Sequence, residues 1–533
     1  MSRFRDGSGS ARLRAGAYLV SGLFWVSAQS VMAANCAIVH HGTPTEADTA
    51  YRAGEFAKAA ELYKAALAKG PEPVDAGIGL VHSLLRQQRV VEASDVVRGL
   101  VDKKPTTAAL LTLRAEVELR QGEPWSAAET ASASAKLDPC NPRTMLTFAR
   151  LAELNSRHAT ARKLLASAHQ LDLEDAEIRA AWMETLPAAE RILQLEAYLS
   201  ASRGEDAETL SDRKAEMEEL KKWAEEPRPP CSVTVKAAPV VISFGSIRSM
   251  RGDVPSPVVD VRVNHQIVHL WFDTSYNARL PIEGVSGLLV LKAAAEHMGL
   301  KPLFENMVPG TGPQGPRKGY VAYADSIELG GLEFHNCAVQ VMEGLFGNDG
   351  DGIISTNLFS DFLLTLDFPA HKLMLEPLPP LPEGASANGD RTVAPEMKDY
   401  TPVYRVGTDV MVPVMVNRKF PKLFLMDTAV GFTMLSPEAA HEIAEGHKDR
   451  VYEVRDLNGT DARFSAGDVQ LSFAGLTQNV THIASYDTSR FTADAAMQIS
   501  GLLGNSTLRD VTVHLDLRDG LVKMDYKSNA GAH

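Results

Sequence analysis

Two short motifs in the second half of the chain carry carboxyl groups in matching surroundings. Each is an apolar, strand-like run that ends in Asp, Thr and a small residue: Val268-His-Leu-Trp-Phe-Asp273-Thr274-Ser275 and Leu423-Phe-Leu-Met-Asp427-Thr428-Ala429. Two carboxyl groups about 3 Å apart cannot both ionise, so they share one proton. The ionised member can take a proton from a bound water while the protonated member donates to a carbonyl oxygen. Such a pair would hydrolyse an amide bond without a metal ion or a nucleophilic side chain.

A second run recurs after each Asp. Gly352-Ile-Ile-Ser355 follows Asp273, and Gly501-Leu-Leu-Gly504 follows Asp427 at nearly the same separation along the chain. The segments around both motifs are short, β-branched and partly alternating, which is typical of strands. Because order, spacing and residue types recur together, the sequence indicates two copies of one β-rich unit.

This paired arrangement resembles the pepsin-like and retropepsin-like aspartic peptidases over about residues 232–530. The resemblance implies an all-β module of two lobes, each of which supplies one catalytic Asp. Asp273 and Asp427 would be the catalytic pair. Thr274 and Thr428 would lock the two Asp loops together by hydrogen bonds across the lobe boundary.

The resemblance also implies a flap hairpin in each lobe, for which 308–316 and 456–461 are the candidates. The chain departs from the family pattern at three positions where the family has Gly. Ser275 and Ala429 follow the Thr residues, and Ser355 ends the first later run. Ser275 and Ala429 are expected to support the pair through their backbone amides, provided that their backbone angles are compatible with a β-carbon.

The part of the chain before the β-rich units has a repeat period of about 34 residues, which is typical of a helix–turn–helix array. Pro71, Pro105 and Pro139 follow this spacing. Small Ala residues let paired helices approach closely, and Pro ends the second helix of a unit. The first unit has matching residues at Gly54, Phe56, Ala59, Tyr63, Ala66 and Pro71. These residues resemble the tetratricopeptide repeat family over about 40–175, which implies a concave face for a partner or for the substrate chain.

The extreme N-terminus has the features of an export signal. Four Arg residues precede an apolar stretch from Ala15 to about Ala28, and Val31 and Ala33 offer a small-residue cleavage site. An uncleaved anchor is the alternative. Pro-rich breaks at 225–231 and 377–395 separate the later units. The expected segments are a signal peptide (1–33), a helical repeat domain (34–226), lobe 1 (231–380), a linker (381–396) and lobe 2 (397–530).

Composition limits the classes of function. The chain has 54 basic and 67 acidic residues, a net charge of −13, which becomes −16 without residues 1–33. This balance argues against a nucleic-acid binder, and 45% hydrophobic residues argue against a multi-span membrane protein. The stretch 310–315 satisfies the spacing of a dinucleotide-binding loop, but Pro313 and Pro316 oppose the helix that must follow. No cofactor is therefore expected, and no metal ion is expected because the sequence has no Cys-x-x-Cys motif or Cys/His cluster.

Four cysteines in an exported protein permit disulfides. They allow three complete pairings, among which the sequence does not choose, although a bond between Cys231 and Cys337 is plausible.

The leading hypothesis is an exported aspartic endopeptidase, periplasmic or extracellular, without a membrane span in the mature chain. Its partners would be a peptide or protein substrate and a protein bound by the repeats. The alternative is a catalytically inactive scaffold that grips peptides in the same cleft. A purely structural repeat protein would leave the matched Asp-Thr motifs unexplained.

Overall fold

The computed structural model describes most of the chain after the expected signal segment, which itself lies outside the described residues. The described residues are 36–69, 74–102, 107–201, 205–225, 228–236, 239–247, 256–277, 285–308, 317–343, 350–443, 453–455, 461–463 and 467–526. Within this part, none of the helices combines the length and the apolar composition that a membrane span requires.

A helical array comes first, and its helices form successive pairs. They are α1 (Glu46–Arg52), α2 (Phe56–Lys69), α3 (Val74–Arg86), α4 (Val90–Val101), α5 (Ala108–Arg120), α6 (Pro124–Leu137), α7 (Pro142–Leu154), α8 (His158–Leu171), α9 (Ala176–Met183), α10 (Ala188–Ser200) and α11 (Ala207–Glu225). This confirms the predicted helical array. Pro139 follows the end of α6 as expected, whereas Pro71 and Pro105 lie outside the described residues.

The turn inside each of the first four helix pairs explains the repeat period. Gly54, Gln88, Gly122 and Ser156 occupy this turn once in each repeat, with φ of 73°, 59°, 74° and 53°. A left-handed residue lets the chain reverse between two antiparallel helices, and Gly adopts that conformation at the lowest cost.

The β-rich half consists of two lobes that share one topology. The strands of lobe 1 and its surroundings are β1 (Ser232–Val235), β2 (Val240–Ser243), β3 (Gly245–Ile247), β4 (Ser256–Val263), β5 (Gln266–Asp273), β6 (Val285–Leu291), β7 (Pro302–Val308), β8 (Arg317–Leu329), β9 (Leu332–Met342), β10 (Gly352–Ser355), β11 (Phe362–Asp367) and β12 (Lys372–Pro377). Lobe 1 also contains the helix α12 (Lys292–His297) and a 3-10 helix (Thr356–Phe359).

The second lobe follows after the 3-10 helix Pro395–Met397. Its strands are β13 (Thr401–Pro402), β14 (Tyr404–Val406), β15 (Asp409–Val416), β16 (Phe420–Met426), β17 (Met434–Leu435), β18 (Glu453–Arg455), β19 (Asp461–Arg463), β20 (Gly467–Phe473), β21 (Leu476–Ser485), β22 (Gly501–Leu503), β23 (Val511–Asp516) and β24 (Leu521–Tyr526). Its helices are α13 (Pro437–Ile443), α14 (Ser489–Ala495) and α15 (Asn505–Leu508).

Each lobe closes into a barrel with the same strand order. The order is β9-β6-β10-β5-β4-β8 in lobe 1, where β8 and β9 also pair, and β21-β17-β22-β16-β15-β20 in lobe 2, where β20 and β21 also pair. Corresponding pairs have the same direction: β5 with β10 and β16 with β22 are both parallel. The predicted all-β module of two related lobes is therefore confirmed.

A third sheet joins the lobes, in the order β13-β24-β23-β11-β12-β2. Its central pair is antiparallel between β11 of lobe 1 and β23 of lobe 2, with Thr365 opposite His514. The hydroxyl of Thr365 lies 2.8 Å from Nδ1 of that imidazole. Because both lobes contribute strands, this sheet fixes how the two barrels face each other.

Burial of Asp516 in this sheet leads to a prediction on stability. Its Oδ1 accepts the backbone N–H of Asp519 at 2.9 Å, and the residue is 1% exposed. Burial raises the pKa of Asp516 to about 6, and the nearby Asp519 charge acts in the same direction. The charge of Arg518 acts in the opposite direction. Because the folded pKa exceeds the unfolded value of about 3.9, ionisation of this carboxyl costs folding stability as pH rises from about 4 to 6.

We therefore expect Asp516→Asn to abolish this loss while the amide oxygen keeps the bond to Asp519. Between pH 4 and pH 7 the wild type should lose up to about 3 kcal/mol relative to the variant. Urea unfolding at both pH values measures the difference, and the exposed Asp361→Asn is the control. Parallel pH profiles for wild type and Asp516→Asn would contradict the expectation.

The helical array and lobe 2 share one hydrophobic core. Buried residues of α5 to α9, among them Leu146 and Leu164, belong to the same cluster as Leu425 and Leu502 of lobe 2. The array also contacts lobe 1 at its far end, where Trp223 of α11 stacks on a tyrosine of β8 with ring centroids 5.5 Å apart. The array is thus packed against the β-rich half as a fixed part of it.

The expected linker 381–396 lies against the array. The backbone N–H and the hydroxyl of Thr160 donate to the Asp390 carboxylate at 2.9 and 2.6 Å. The N–H of Arg391 donates to the carbonyl of Ser156 at 2.8 Å. These bonds tie the connection between the lobes to the fourth helix pair.

Two disulfides resolve the pairing that the sequence left open. Cys231 is bonded to Cys337, which attaches the start of lobe 1 to β9, and Cys36 is bonded to Cys140 within the array.

Candidate active site

The two Asp-Thr motifs end corresponding strands. Asp273 ends β5 and is paired with Ser355 at the end of β10. Asp427 directly follows β16, and its N–H donates to the carbonyl of Leu503 in β22 at 3.0 Å. The later run of each lobe therefore lies directly beside its Asp loop.

Reciprocal hydrogen bonds join the two loops across the lobe boundary. The hydroxyl of Thr274 donates to the carbonyl of Met426 at 2.7 Å, and the hydroxyl of Thr428 donates to the carbonyl of Phe272 at 2.6 Å. Each hydroxyl also accepts the N–H of the other Thr, at 3.2 and 3.3 Å. Both Thr side chains are buried. Because each Asp directly precedes one of these residues, the four bonds hold the two Asp loops side by side.

Each carboxyl group is held by the residue two positions later. The N–H groups of Ser275 and Ala429 donate to Oδ1 of their own Asp, at 2.7 Å in lobe 1 and 2.9 Å in lobe 2. Neither residue is among those with positive φ in the described part of the chain. The backbone therefore accepts a β-carbon where the family has Gly.

The carboxyl groups are almost fully buried, with Asp273 7% and Asp427 3% exposed. Burial raises the pKa of Asp273, while hydrogen bonds from the backbone and hydroxyl of Ser275 and from the backbone of Tyr276 act in the opposite direction. The Ser275 hydroxyl lies 2.8 Å from Oδ1 of Asp273. This hydroxyl, which a Gly would lack, favours the ionised carboxylate.

We expect Ser275→Ala to move the acidic limb of the activity profile to higher pH. The variant keeps the N–H bond but loses the hydroxyl that stabilises the ionised Asp273, so the pKa of this carboxyl rises. Hydrolysis of one peptide from pH 3 to pH 8 measures the limb, and Ser275→Thr, which retains a hydroxyl, should restore it. A limb that stays in place in Ser275→Ala would show that the hydroxyl has no such role.

The departure at Ser355 is compensated by a glycine on the neighbouring strand. A β-carbon on Gly287, which has a φ of +70°, would lie 2.3 Å from the Ser355 hydroxyl oxygen. In lobe 2 the glycine is instead Gly504, at the position that corresponds to Ser355. A β-carbon on Gly504 would lie 2.2 Å from the carbonyl oxygen of Phe432. Each lobe thus keeps one Gly at this contact, and Ser355 fits without displacing the Asp loop.

Three residues that the sequence did not single out support the loops. The side-chain amide of Asn505 donates to the carbonyl of Thr428 at 2.8 Å and to the hydroxyl of Ser256 at 3.2 Å. Ser256 in turn donates to the carbonyl of Ala429 at 3.1 Å. Asn277 donates to the carbonyl of Val406 in lobe 2 at 3.0 Å. These bonds join segments that are far apart in the chain, so no local pattern in the sequence signals them.

The two candidate flaps lie almost wholly outside the described residues. The paired strands β7 and β8 flank residues 309–316. The paired strands β18 and β19 flank residues 456–460. The dinucleotide-like stretch 310–315 also lies outside. Among the residues described, no group of three or more His, Cys, Asp or Glu side chains could hold a metal ion.

Two segments of the chain match known families. Residues 50–117 match the tetratricopeptide repeat, and residues 259–367 match the aspartyl protease family. The aspartyl protease match covers most of lobe 1. The aspartyl protease match includes Asp273 and Ser355 and ends at Asp367, so Asp427 lies beyond it. Lobe 2 shares with the matched lobe its strand order. No curated protein matches the chain.

Proposed function

We propose that the protein is an exported aspartic endopeptidase in which Asp273 and Asp427 activate a water molecule between them. The observation that carries the proposal is the reciprocal bonding of Thr274 and Thr428. This bonding brings one buried carboxyl from each lobe to the lobe boundary. The match of lobe 1 to the aspartyl protease family supports the same reaction.

The proposed reaction is general acid–base hydrolysis. The bonds from Ser275 favour the ionised form of Asp273, which makes this carboxyl the candidate base for the attacking water. Asp427 then donates its proton to the oxygen of the scissile carbonyl. The tetrahedral intermediate collapses when Asp273 passes the proton taken from water to the amide nitrogen, Asp427 recovers its proton from the new hydroxyl group, and the carbon–nitrogen bond breaks.

Export to the periplasm or the outside of the cell remains part of the proposal. Two observations support it: the basic and apolar pattern of residues 1–33, and two disulfides among the described cysteines. We also propose that the helical array binds a protein partner, which the match of residues 50–117 to the tetratricopeptide repeat supports.

The test is hydrolysis of a mixed peptide library by the full mature chain at acidic and at neutral pH. The double variant Asp273→Asn/Asp427→Asn is the negative control, and Asp361→Asn, at an exposed position of lobe 1, is the matched positive control. We expect cleavage by the wild type and by Asp361→Asn alone. Cleavage that persists in the double variant would refute the mechanism. Peptide binding without cleavage by the wild type would favour the scaffold alternative.

A further inference from the structure

The residue after the Asp-Thr-Ser motif of lobe 1 is a buried tyrosine. Tyr276 packs in a small apolar cluster with Trp271 and Met342. Its hydroxyl donates to the side-chain carbonyl oxygen of Gln340 in β9. The backbone of Tyr276 favours the ionised form of Asp273. Tyr276 therefore links the carboxyl group of the loop to the wall of the barrel.

Gln340 is a polar residue on an otherwise apolar face of its strand. Val339 and Val341 belong to the barrel core, whereas Met342 belongs to the cluster that contains Tyr276. Because side chains alternate along a strand, Gln340 lies on the same face as Met342. It is almost fully buried, and its side-chain nitrogen has no hydrogen-bond partner among the described residues. Within this part of the chain, its amide group is bonded to the Tyr276 hydroxyl alone.

A buried amide that is bonded at one end only does not favour folding. The free energy lost by an unpartnered buried polar group is at least as large as the free energy that a typical hydrogen bond contributes. The bond between Tyr276 and Gln340 therefore does not offset the burial of the free nitrogen of Gln340. Such departures from a fully satisfied core are typical of functional sites. The pair is better explained by a role at the neighbouring carboxyl group than by packing.

Strand register identifies the residue of lobe 2 that corresponds to Gln340. Gln340 pairs with Leu289 of β6, and Ala484 pairs with Met434 of β17. The strands β6 and β17 occupy the same place in the strand order of the two barrels. In both strands, this residue also pairs with the residue that follows the first Gly of the later run. Ala484 therefore takes the place of Gln340.

The polar pair is present in lobe 1 only. Three residues after the Asp, lobe 1 has Tyr276 and lobe 2 has Val430. Lobe 2 thus has Val430 and Ala484, two residues of its apolar core, where lobe 1 has the hydrogen-bonded side chains of Tyr276 and Gln340. Because the two barrels share one strand order, the barrel itself does not require a polar pair at this place.

The segment after each Asp is attached to its barrel in different ways. In lobe 2, the N–H groups of Asn505 and Ser506 donate to the carbonyls of Val430 and Gly431 at 3.0 and 2.8 Å. In lobe 1, the side chain of Tyr276 attaches the segment to β9. An attachment through a side chain can be removed by one substitution that leaves the backbone unchanged.

We propose that Tyr276 and Gln340 are positioning residues that hold the loop of Asp273 so that its carboxyl group is the ionised member of the pair. The bond to β9 fixes the Tyr276 side chain and, with it, the backbone N–H that faces the carboxylate. Val430 and Ala484 have no polar group in their side chains, so this effect is confined to Asp273. This inference rests on the proposed peptidase function and adds two residues to its site.

Tyr276→Phe tests the positioning role, because it removes the hydroxyl and keeps the ring. Without its anchor the N–H of residue 276 stabilises the carboxylate less well, so the pKa of Asp273 rises. We expect the acidic limb of kcat/KM for one peptide to move to higher pH by about half to one pH unit. Gln340→Leu should move the limb in the same direction. The rates are measured from pH 3 to pH 8 with the full mature chain.

The limb reports on the carboxyl pair over this range. Asp427 and Tyr276 are titratable side chains placed beside the Asp273 carboxyl, the first on the facing loop that the Thr274 and Thr428 bonds join to it. Burial raises the pKa of Tyr276, and the charge of Asp273 acts in the same direction, so this hydroxyl stays protonated throughout. Loss of the hydroxyl therefore removes a hydrogen bond and no charge.

The double variant Tyr276→Phe/Gln340→Leu separates positioning from packing. It replaces both partners by apolar groups of similar shape, so we expect it to melt at or above the wild-type temperature. Its acidic limb should nevertheless stay at the higher pH of the single variants. Tyr323→Phe is the matched control, because it removes the hydroxyl of a buried tyrosine in a different apolar cluster of lobe 1, and it should leave the limb in place.

The outcomes distinguish this inference from the proposed function. A wild-type limb in the double variant would show that the pair serves packing alone and would overturn the inference, while hydrolysis by the wild type would leave the peptidase function intact. An equal movement of the limb in Tyr323→Phe would overturn it as well. Absence of hydrolysis by the wild type would refute the peptidase function and, with it, this inference.

Discussion

The single variants Asp273→Asn and Asp427→Asn are each expected to fold and to lose peptide hydrolysis, with kcat/KM lower by about a hundredfold to ten-thousandfold. An amide neither accepts a proton from water at neutral pH nor donates one as an acid. The loop geometry should persist, because the amide oxygen can accept the N–H bonds that Ser275 and Ala429 make to the carboxylates. The loss would therefore be one of chemistry rather than of structure.

Stability should change in the opposite direction to activity. Burial raises the pKa of Asp273, so its ionised form is held at a cost to folding. An uncharged amide removes this cost, and we expect Asp273→Asn to melt at or above the wild-type temperature near pH 7. Thermal melting and initial rates on the same samples separate the two effects. Activity within tenfold of wild type in either single variant would contradict the paired-carboxylate mechanism, and a lower melting temperature for Asp273→Asn would contradict the argument from burial.

The sequence predicted the features that depend on local or repeated residues. The repeat period corresponds to one left-handed turn in each helix pair, and Gly54 and Gly122 make this turn visible in the sequence. The Asp-Thr motifs are equally local, because an apolar strand followed by Asp and Thr already sets the place of the carboxyl group. The repeat period and the Asp-Thr motifs can therefore be recognised without knowledge of the tertiary structure.

The features that depend on register could not be predicted. The fit of Ser355 requires Gly287, which lies far before it in the chain and faces it only because β6 and β10 pair in one register. The support from Asn505 depends in the same way on contact between lobes. In the sequence, Gly287 and Asn505 are single residues outside any motif, so nothing local indicates their role.

The docking of the array on lobe 2 corresponds to a signal in the sequence, in the strand that precedes Asp427. The run Leu423-Phe-Leu-Met is apolar at every position, whereas the corresponding run of lobe 1 contains His269. A strand that is apolar on both faces is covered on both faces. This difference predicts that the strand before Asp427 is covered at Leu423, where His269 of lobe 1 is exposed, although it does not predict which part of the chain covers it.

The second large effect is expected from substitution of Arg143 in the helical array. Its side chain contacts carboxylates of α5 and α9 and the carboxylate of the residue that caps the N-terminus of α9. Its guanidinium donates to Glu116 at 2.9 and 3.1 Å, to Asp175 at 3.0 Å and to Glu177 at 2.9 Å. Although burial acts to raise it, Arg143 and His82 hold the pKa of Glu116 at about 2. The network joins α3, α5, α7 and α9 in the interior of the array, and Glu116 is only 4% exposed.

Arg143→Met should therefore destabilise the protein by about 3–5 kcal/mol at pH 7, because it leaves buried carboxylates without their main partner. The stability that Glu116 gains from its lowered pKa is present above its unfolded value of about 4.3 and is lost as pH falls towards 2, so the deficit of the variant should shrink in acid. Urea unfolding followed by helical circular dichroism at pH 7 and pH 3 measures both expectations.

Arg98→Met, which breaks an exposed pair with Asp95 on α4, is the control and should change stability by less than about 1 kcal/mol. A deficit as small as that of the control would mean that water or neighbouring cations already compensate Glu116. In that case Arg143 would serve the array through packing alone.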